Sequence, residues 1–377
     1  MAYPLKVLYP HHLPFPFERA HDIHVFKTNF YLAREGIEAI FFVALKKGFC
    51  PLRVAQFYGF SKIPANLKFV SIPYFRRTKF PRLTVNLIYE FFLLLKIRSH
   101  LHSHSVILCS EKRLVPFLKR FFPGIPIVFE IHGLSYFKKK QPDKNEQKAL
   151  RKASLGLVTT KSLLNFIRKV YKISLPLYHL SLATEPVDSF PYLGPKDPPI
   201  LFYTGQLYPS QGVELLLKAL KNIPKAHLFI AGGKPSEISH YQKLASQFKV
   251  KDRVIFLGFV PYGQIKSLLL KADILLLPAL AEGKQLYVAH QKLYDYLSVG
   301  RPIVASDLPS VREEVKDGEE AVLFEPNNSD SLAEAIDSIL QNPDWAKYLA
   351  QKAHKKAREL TWEIRTQKLI RYLLKLV

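Results

Sequence analysis

Short, continuous apolar runs alternate with helical stretches along the whole chain. In the first half the runs are Val7-Leu8-Tyr9, Ala39 to Val43, Lys68 to Ile72, Ser105 to Cys109, Pro126 to Ile131 and Gly156 to Thr160. Runs of this length that are apolar at consecutive positions suit strands covered on both faces of a parallel sheet. Helical patterns lie between them, notably His21 to Glu35 and Lys161 to Val170, which completes the alternation of a doubly wound sheet. The second half restarts with the strand Ile200 to Thr204 and a helix from Gly212 to Leu220. Strands follow at Leu228 to Ala231, Val254 to Gly258 and Ala272 to Pro278. A polar connection, Ala281 to Tyr287, leads to a helix from Ala289 that stops at Gly300, and then to the strand Ile303 to Ser306. The proline-rich end of residues 179–199 reads as a linker. The expected architecture is therefore two Rossmann-like α/β domains, residues 1–190 and 191–361, followed by an amphipathic helix beginning at Trp362.

In an open parallel sheet, ligands bind beyond the carboxyl ends of the strands and at helix starts. Lys292 and Asp295 fall on the first turns of the helix after Tyr287. A carboxylate there repels phosphate but accepts hydrogen bonds from two neighbouring sugar hydroxyls, and the lysine one turn earlier supplies positive charge. The pair suits a nucleotide with a ribose and a diphosphate. Gly205, Gly232-Gly233 and Lys234 also follow strand ends, as do His132 and Gly133 in the first half. His100, His102 and His104 alternate without a carboxylate or cysteine at ligand spacing, so a polar turn is expected there and no metal site.

Charge sharpens this picture. Residues 1–195 carry 30 basic and 11 acidic side chains and residues 196–377 carry 25 and 20, so +19 of the net +24 lies in the first half. Such asymmetry implies an anionic partner: nucleic acid, an anionic membrane surface or a phosphorylated substrate. Residues 82–98, RLTVNLIYEFFLLLKIR, are the most apolar helical stretch, but Asn86, Glu90 and Lys96 interrupt them before the ~20 apolar residues of a membrane span. A buried helix or one lying in a membrane interface beside Arg76, Arg77, Lys79 and Arg82 fits instead. Two distant cysteines, Cys50 and Cys109, give neither a disulfide framework nor a zinc site and point to a reducing compartment. The N-terminus lacks the apolar core of a signal peptide.

The segment KLYDYLSVGRPIVASDLPSVREEV, together with FYTGQLYPSQGVELLLKAL and the LFIAGG and VIFLGFVP runs, resembles the donor-binding half of GT4-type glycosyltransferases. These are retaining enzymes of the GT-B fold, with two Rossmann-like domains facing each other across a cleft. The resemblance implies transfer of a sugar from a nucleotide diphosphate donor (a UDP- or GDP-sugar) by front-face substitution without a side-chain nucleophile. It also implies a C-terminal helix that packs back on the first domain. Asp295 aligns with a ribose-binding glutamate, Phe259 and Val260 with the backbone that meets the base, and His132 with a histidine beside the donor sugar. Gly205, Gln206, Gln211, Gly232, Gly233, Lys234, Tyr287, Lys292 and Leu293 complete the donor set.

Three departures stand out. Gln206 and Gln211 occupy positions where the family often has basic residues clamping the diphosphate. Tyr287 stands where it has a second glutamate. The loop after the first strand lacks the common Gly-Gly pair. Lys292, the helix start at Gln211-Gly212 and Lys234 are expected to take over the diphosphate. The anticipated acceptor is a glycan, lipid-linked or phosphorylated, of polysaccharide biosynthesis, met by a cytoplasmic protein peripheral on the inner membrane face. A catalytically silent relative that binds a membrane or partner is the alternative suggested by the two glutamines. Hydrolase and dehydrogenase readings lack GxSxG, GxGxxG and Walker A motifs, and no nucleic-acid recognition motif is present.

Overall fold

The computed structural model describes residues 5–15, 20–45, 50–73, 82–188 and 192–377. The chain divides into two compact units, residues 1–181 with 362–377, and residues 182–361. The division falls ahead of the proline-rich stretch that reads as linker, because Leu182 is already buried in the core of the second unit.

Among the described residues the first unit holds seven parallel strands: β1 (Lys6–Phe15), β2 (Glu38–Leu45), β3 (Leu67–Ser71), β4 (Ser105–Cys109), β5 (Ile127–Ile131), β6 (Leu155–Val158) and β7 (Leu177–His179). Their order is β3-β2-β1-β4-β5-β6-β7. The chain winds outward from β1 in one direction and, after β3, returns to β4 and winds the other way. The switch point thus lies between β1 and β4. Every residue of β4, β5 and β6 is buried, as the unbroken apolar runs require. The short β7 escaped the sequence reading because Leu177–His179 is three residues long and only its leucine is fully buried.

The C-terminal helix Trp362–Leu373 belongs to this unit. Trp362 stacks on Tyr31 with ring centroids 5.6 Å apart, and Tyr372 stacks on Tyr178 at 4.7 Å. Residues 99–104 form the expected polar turn. In the helix Arg82–Arg98, Tyr89, Leu93 and Ile97 face inward, whereas Leu87, Phe91 and Leu95 are each more than half exposed. Arg76, Arg77 and Lys79 lie outside the described residues, as do residues 16–19 of the loop after β1.

The second unit has six parallel strands: β8 (Ile200–Thr204), β9 (His227–Ala231), β10 (Val254–Gly258), β11 (Ile274–Leu277), β12 (Ile303–Ser306) and β13 (Val322–Phe324). Their order, β10-β9-β8-β11-β12-β13, puts the switch point between β8 and β11. Two apolar clusters sandwich the sheet, one around Leu216, Ile230 and Ile336, the other around Leu269, Leu277 and Leu297. Edge strand β13 was not anticipated. Its Val-Leu-Phe is only three residues long, and two of the three are half-buried.

Candidate active site

At the switch point of the second unit the backbone is drawn in tightly. Gly212 has φ +73°, and a Cβ there would lie 1.8 Å from the carbonyl oxygen of Pro278, just beyond β11. Gly232, after β9, has φ +121°, and its Cβ would lie 2.0 Å from the carbonyl oxygen of Gly205, just beyond β8. Only glycine fits either position. The helix expected to start at Gln211-Gly212 begins at Val213, because a 3₁₀ turn, Pro209–Gln211, comes first and Gly212 is left-handed.

Lys292 reaches into this region from the first turn of the helix Gln291–Val299. Its Nζ donates to the Tyr203 hydroxyl at 3.0 Å and to Gln211 Oε1 at 2.9 Å, and lies 4.1 Å from the centre of the Tyr203 ring. It sits 2.9 Å from where a Gly205 Cβ would be, so Gly205 leaves the space the ammonium uses. Both partners are neutral. Some of the side chain remains accessible, yet loss of water around the ammonium pushes its pKa down to about 7. Gln211 therefore does not replace a charge so much as hold one in place. His290 is buried at the helix N-cap, and burial together with nearby Lys292 pushes its pKa down to about 4. The Gln285 amide donates to Ser210 Oγ at 3.0 Å and ties the loop after β11 to the loop after β8.

One turn on, Asp295 is buried, and its Oδ1 accepts from the Tyr262 hydroxyl at 2.8 Å and from the Gln291 amide at 3.3 Å. Tyr262 opens the helix that follows Phe259-Val260-Pro261. Phe259 is about half exposed, while Val260 packs against the apolar core. The structure thus gathers Gly205, Gln211, Gly232 and Lys292. Other expected residues sit differently. Gln206 is exposed, and its carbonyl accepts from the Tyr203 hydroxyl. Gly233 abuts Leu207, Lys234 is exposed at a helix N-cap, and Tyr287 is half-buried. Leu293 points into the core at 1% exposure. Tyr203, Tyr262 and Gln291 were missed: Tyr203 reads as one more apolar strand position, and the other two carry no motif.

In the first unit, His132 follows β5 and is partly accessible. Its neighbours are mostly buried. His24 Nε2 lies 2.8 Å from Glu130 Oε1, Arg365 Nη2 donates to the same oxygen at 2.5 Å, and the Tyr9 hydroxyl donates to Oε2 at 3.2 Å. Burial opposes the charged form of Glu130, but His24, His132 and Arg365 together hold its carboxyl well below the usual range. Burial pushes His24 down to about 3, which makes it a neutral donor at Nε2 and leaves Arg365 as the cation of the group. His24, Glu130 and His132 offer ligand atoms within 4.8 Å of one another, a spacing a metal ion could use.

The match to known proteins follows the same division of the chain. The family model described as Glycosyl transferases group 1 matches residues 185–356, within the second unit. The alpha-D-kanosaminyltransferase of Streptomyces kanamyceticus is 23% identical over 266 residues, 63% of this chain and 67% of that protein. Several other curated relatives are matched over only 38–44% of their own length. Among solved structures, sucrose-phosphate synthase from Thermosynechococcus elongatus superposes with a TM-score of 0.78 at 18% identity, covering 99% of both chains. The Anabaena protein HepE, solved with UDP and glucose, superposes with a TM-score of 0.71 at 14% identity, covering 98% of this chain and all of that one. The fold is GT-B, and the second unit carries a glycosyl transferases group 1 domain. The matched family model and the kanosaminyltransferase relative are both described as glycosyltransferases.

Proposed function

We propose that the protein moves a glycosyl group, with retention of configuration, from a nucleotide diphosphate sugar to a glycan or lipid-linked acceptor at an anionic membrane surface. The observation that carries this reading is Lys292, a desolvated ammonium with neutral partners at the mouth of a glycine-lined switch point. An arriving diphosphate supplies the missing counter-charge and restores the lysine's protonated form. Asp295 takes the ribose hydroxyls and the Phe259-Val260 backbone takes the base. His132 shapes the sugar site. The bond from the anomeric carbon to the diphosphate breaks as the acceptor oxygen bonds the same carbon on the same face, and the departing diphosphate receives the acceptor's proton. The donor is a UDP- or GDP-sugar: HepE was solved with UDP, and a Mycolicibacterium smegmatis relative, 27% identical over 39% of this chain, is a GDP-mannose-dependent mannosyltransferase.

The membrane address rests on the helix Arg82–Arg98. Leu87, Phe91 and Leu95 recur every fourth residue and stand exposed on one face, with Lys96 and Arg98 exposed beside them. No described helix is long and apolar enough to cross a membrane. An exposed apolar stripe on a basic unit suits a helix lying in the interface, where each Lys or Arg near anionic lipid contributes about 1 kcal/mol. These features support a reading of the protein as cytoplasmic and peripheral on the inner leaflet.

Calorimetric titration of UDP, GDP and ADP into the wild type and Asp295→Ala tests the donor site. One diphosphate should be preferred, and the variant should lose affinity for it. Failure of all three to bind would overturn the reading.

A further inference from the structure

We propose that Arg365, delivered by the C-terminal helix, is a positioning residue for His132: the guanidinium fixes the Glu130 carboxylate, and that carboxylate fixes the imidazole. This rests on the reading of His132 as the histidine of the sugar site.

The geometry divides the two oxygens of Glu130. Oε1 accepts from Arg365 Nη2 at 2.5 Å and from His24 Nε2 at 2.8 Å, while Oε2 faces the Tyr9 hydroxyl at 3.2 Å and His132 Nε2 at 3.7 Å. Arg365 is itself anchored, since its Nε donates to the Ser181 carbonyl at 3.1 Å. The His132 ring is met edge-on by His24, with centroids 4.5 Å apart, and by His21 at 5.2 Å, so its plane is set from two sides. The groups facing the network are Tyr9 from β1, His21 and His24 from the helix Ala20–Arg34, Glu130 from β5, and Arg365 and Trp362 from the C-terminal helix. Arg365 supplies the only full positive charge in that set once the buried imidazoles are neutral.

That charge has a chemical consequence. With it, Glu130 is an acceptor at both oxygens, and its Oε2, at 3.7 Å from His132 Nε2 and so beyond hydrogen-bond range, acts on the imidazole through charge and favours an N–H on that side of the ring. Without it, a buried carboxylate is left uncompensated and takes up a proton. Oε2 can then donate, and the polarity of its contact with His132 reverses. The same geometry argues against a metal ion among His24, Glu130 and His132. Arg365 Nη2 stands 3.2 Å from His24 Nε2 and 2.5 Å from Glu130 Oε1, where such an ion would have to sit.

The test is nitrogen NMR of histidine-labelled full-length protein, with His132 assigned through His132→Asn, alongside initial rates. Arg365→Gln should move the ring-nitrogen shifts of His132. It should lower kcat about ten-fold or more while donor KM stays within about two-fold. Arg365→Lys should restore most of both. If Arg365→Gln does not fold, Glu130→Gln, which keeps the shape and removes the charge, must shift His132 in the same way. Unmoved His132 signals in a folded variant of either kind overturn the proposal. If instead those signals move but His132→Asn keeps full turnover, the positioning stands and the sugar-site reading of His132 falls.

Discussion

The two switch points are built in opposite ways. Between β1 and β4, side chains fill the space: His12 Nδ1 stands 3.0 Å from Glu111 Oε1, His21 meets Ser110 Oγ at 3.2 Å, and the buried His11 lies 3.0 Å from Asp22. Close by, Glu130 is compensated by Arg365. Between β8 and β11, glycines empty the space, and the cation that enters has neutral hydrogen-bond partners. Charge is balanced internally at the first unit's switch point and left open at the second's. A balanced network orients groups and stabilises the fold, whereas an unbalanced cation costs stability and waits for an anion. Substituting each arginine or lysine should therefore have contrasting effects.

The largest expected effect is on the balanced side. Arg365→Met leaves Glu130 without its counter-ion, so the carboxyl must take up a proton, and breaking such a pair by removing one partner costs about 3–5 kcal/mol. Adding Glu130→Leu should recover most of that loss, because apolar replacement of a whole buried pair is often neutral. Denaturant unfolding of the two variants measures both steps. A loss below about 1 kcal/mol for the single variant would mean that water reaches Glu130.

Lys292→Ala should do the reverse, leaving stability unchanged or higher while donor diphosphate affinity and turnover fall about 100-fold, or about 2.7 kcal/mol. Equal losses of stability and binding would erase the contrast between the units. The same lysine sets a pH dependence. Its folded pKa is about 7, against an ordinary value of 10.5. Between those values the unfolded chain binds more protons than the folded one, so stability rises with pH across that window. Below pH 7 both states are protonated, and the desolvation penalty is fully present. Diphosphate binding needs the charged form, so affinity should fall by up to about tenfold per pH unit above 7, with proton uptake on binding. Lys292→Arg, which stays charged, should flatten that profile. Calorimetry in buffers of differing ionisation enthalpy counts the protons.

The contrast between the units also explains what the sequence disclosed. Strands such as Ser105–Cys109 and Ile303–Ser306 were readable to the residue, since a buried parallel strand writes itself as an apolar run between polar ends. The residues of the proposed donor site carry a local signal as well: Gly205, Gly232, Lys292 and Asp295 lie in local motifs, within a few residues of a strand end or on the helix that follows β11. The network around His132 was not. His24, Glu130 and Arg365 are brought together across 106 and 235 positions of sequence. None of the three has a local pattern that distinguishes it from a solvated helix or strand residue. The three-residue β7 and β13 were missed for lack of length, and Leu293 was assigned to the ligand although the helix period turns it into the core.

The smallest effect tests how finely the open site is held. In the proposed site Asp295 would reach the ribose on an arm one methylene shorter than the glutamate of the resembled family, so its direction matters more. Tyr262 sets that direction with one hydrogen bond of 2.8 Å, and Tyr262 itself follows the base-contacting Phe259-Val260 by two residues. The hydroxyl thus ties the ribose contact to the base contact. Tyr262→Phe removes the partly accessible hydrogen bond to Asp295, which is about 1 kcal/mol, or roughly five-fold. That loss should fall on ribose recognition alone. The wild type should prefer its diphosphate, UDP or GDP, over the 2′-deoxy form, and the variant should narrow this preference by about the same five-fold while binding the deoxy nucleotide as before. If both nucleotides weaken equally, Tyr262 shapes the base loop and not the carboxylate. If neither changes, Gln291, which donates to the same oxygen at 3.3 Å, is sufficient to hold Asp295.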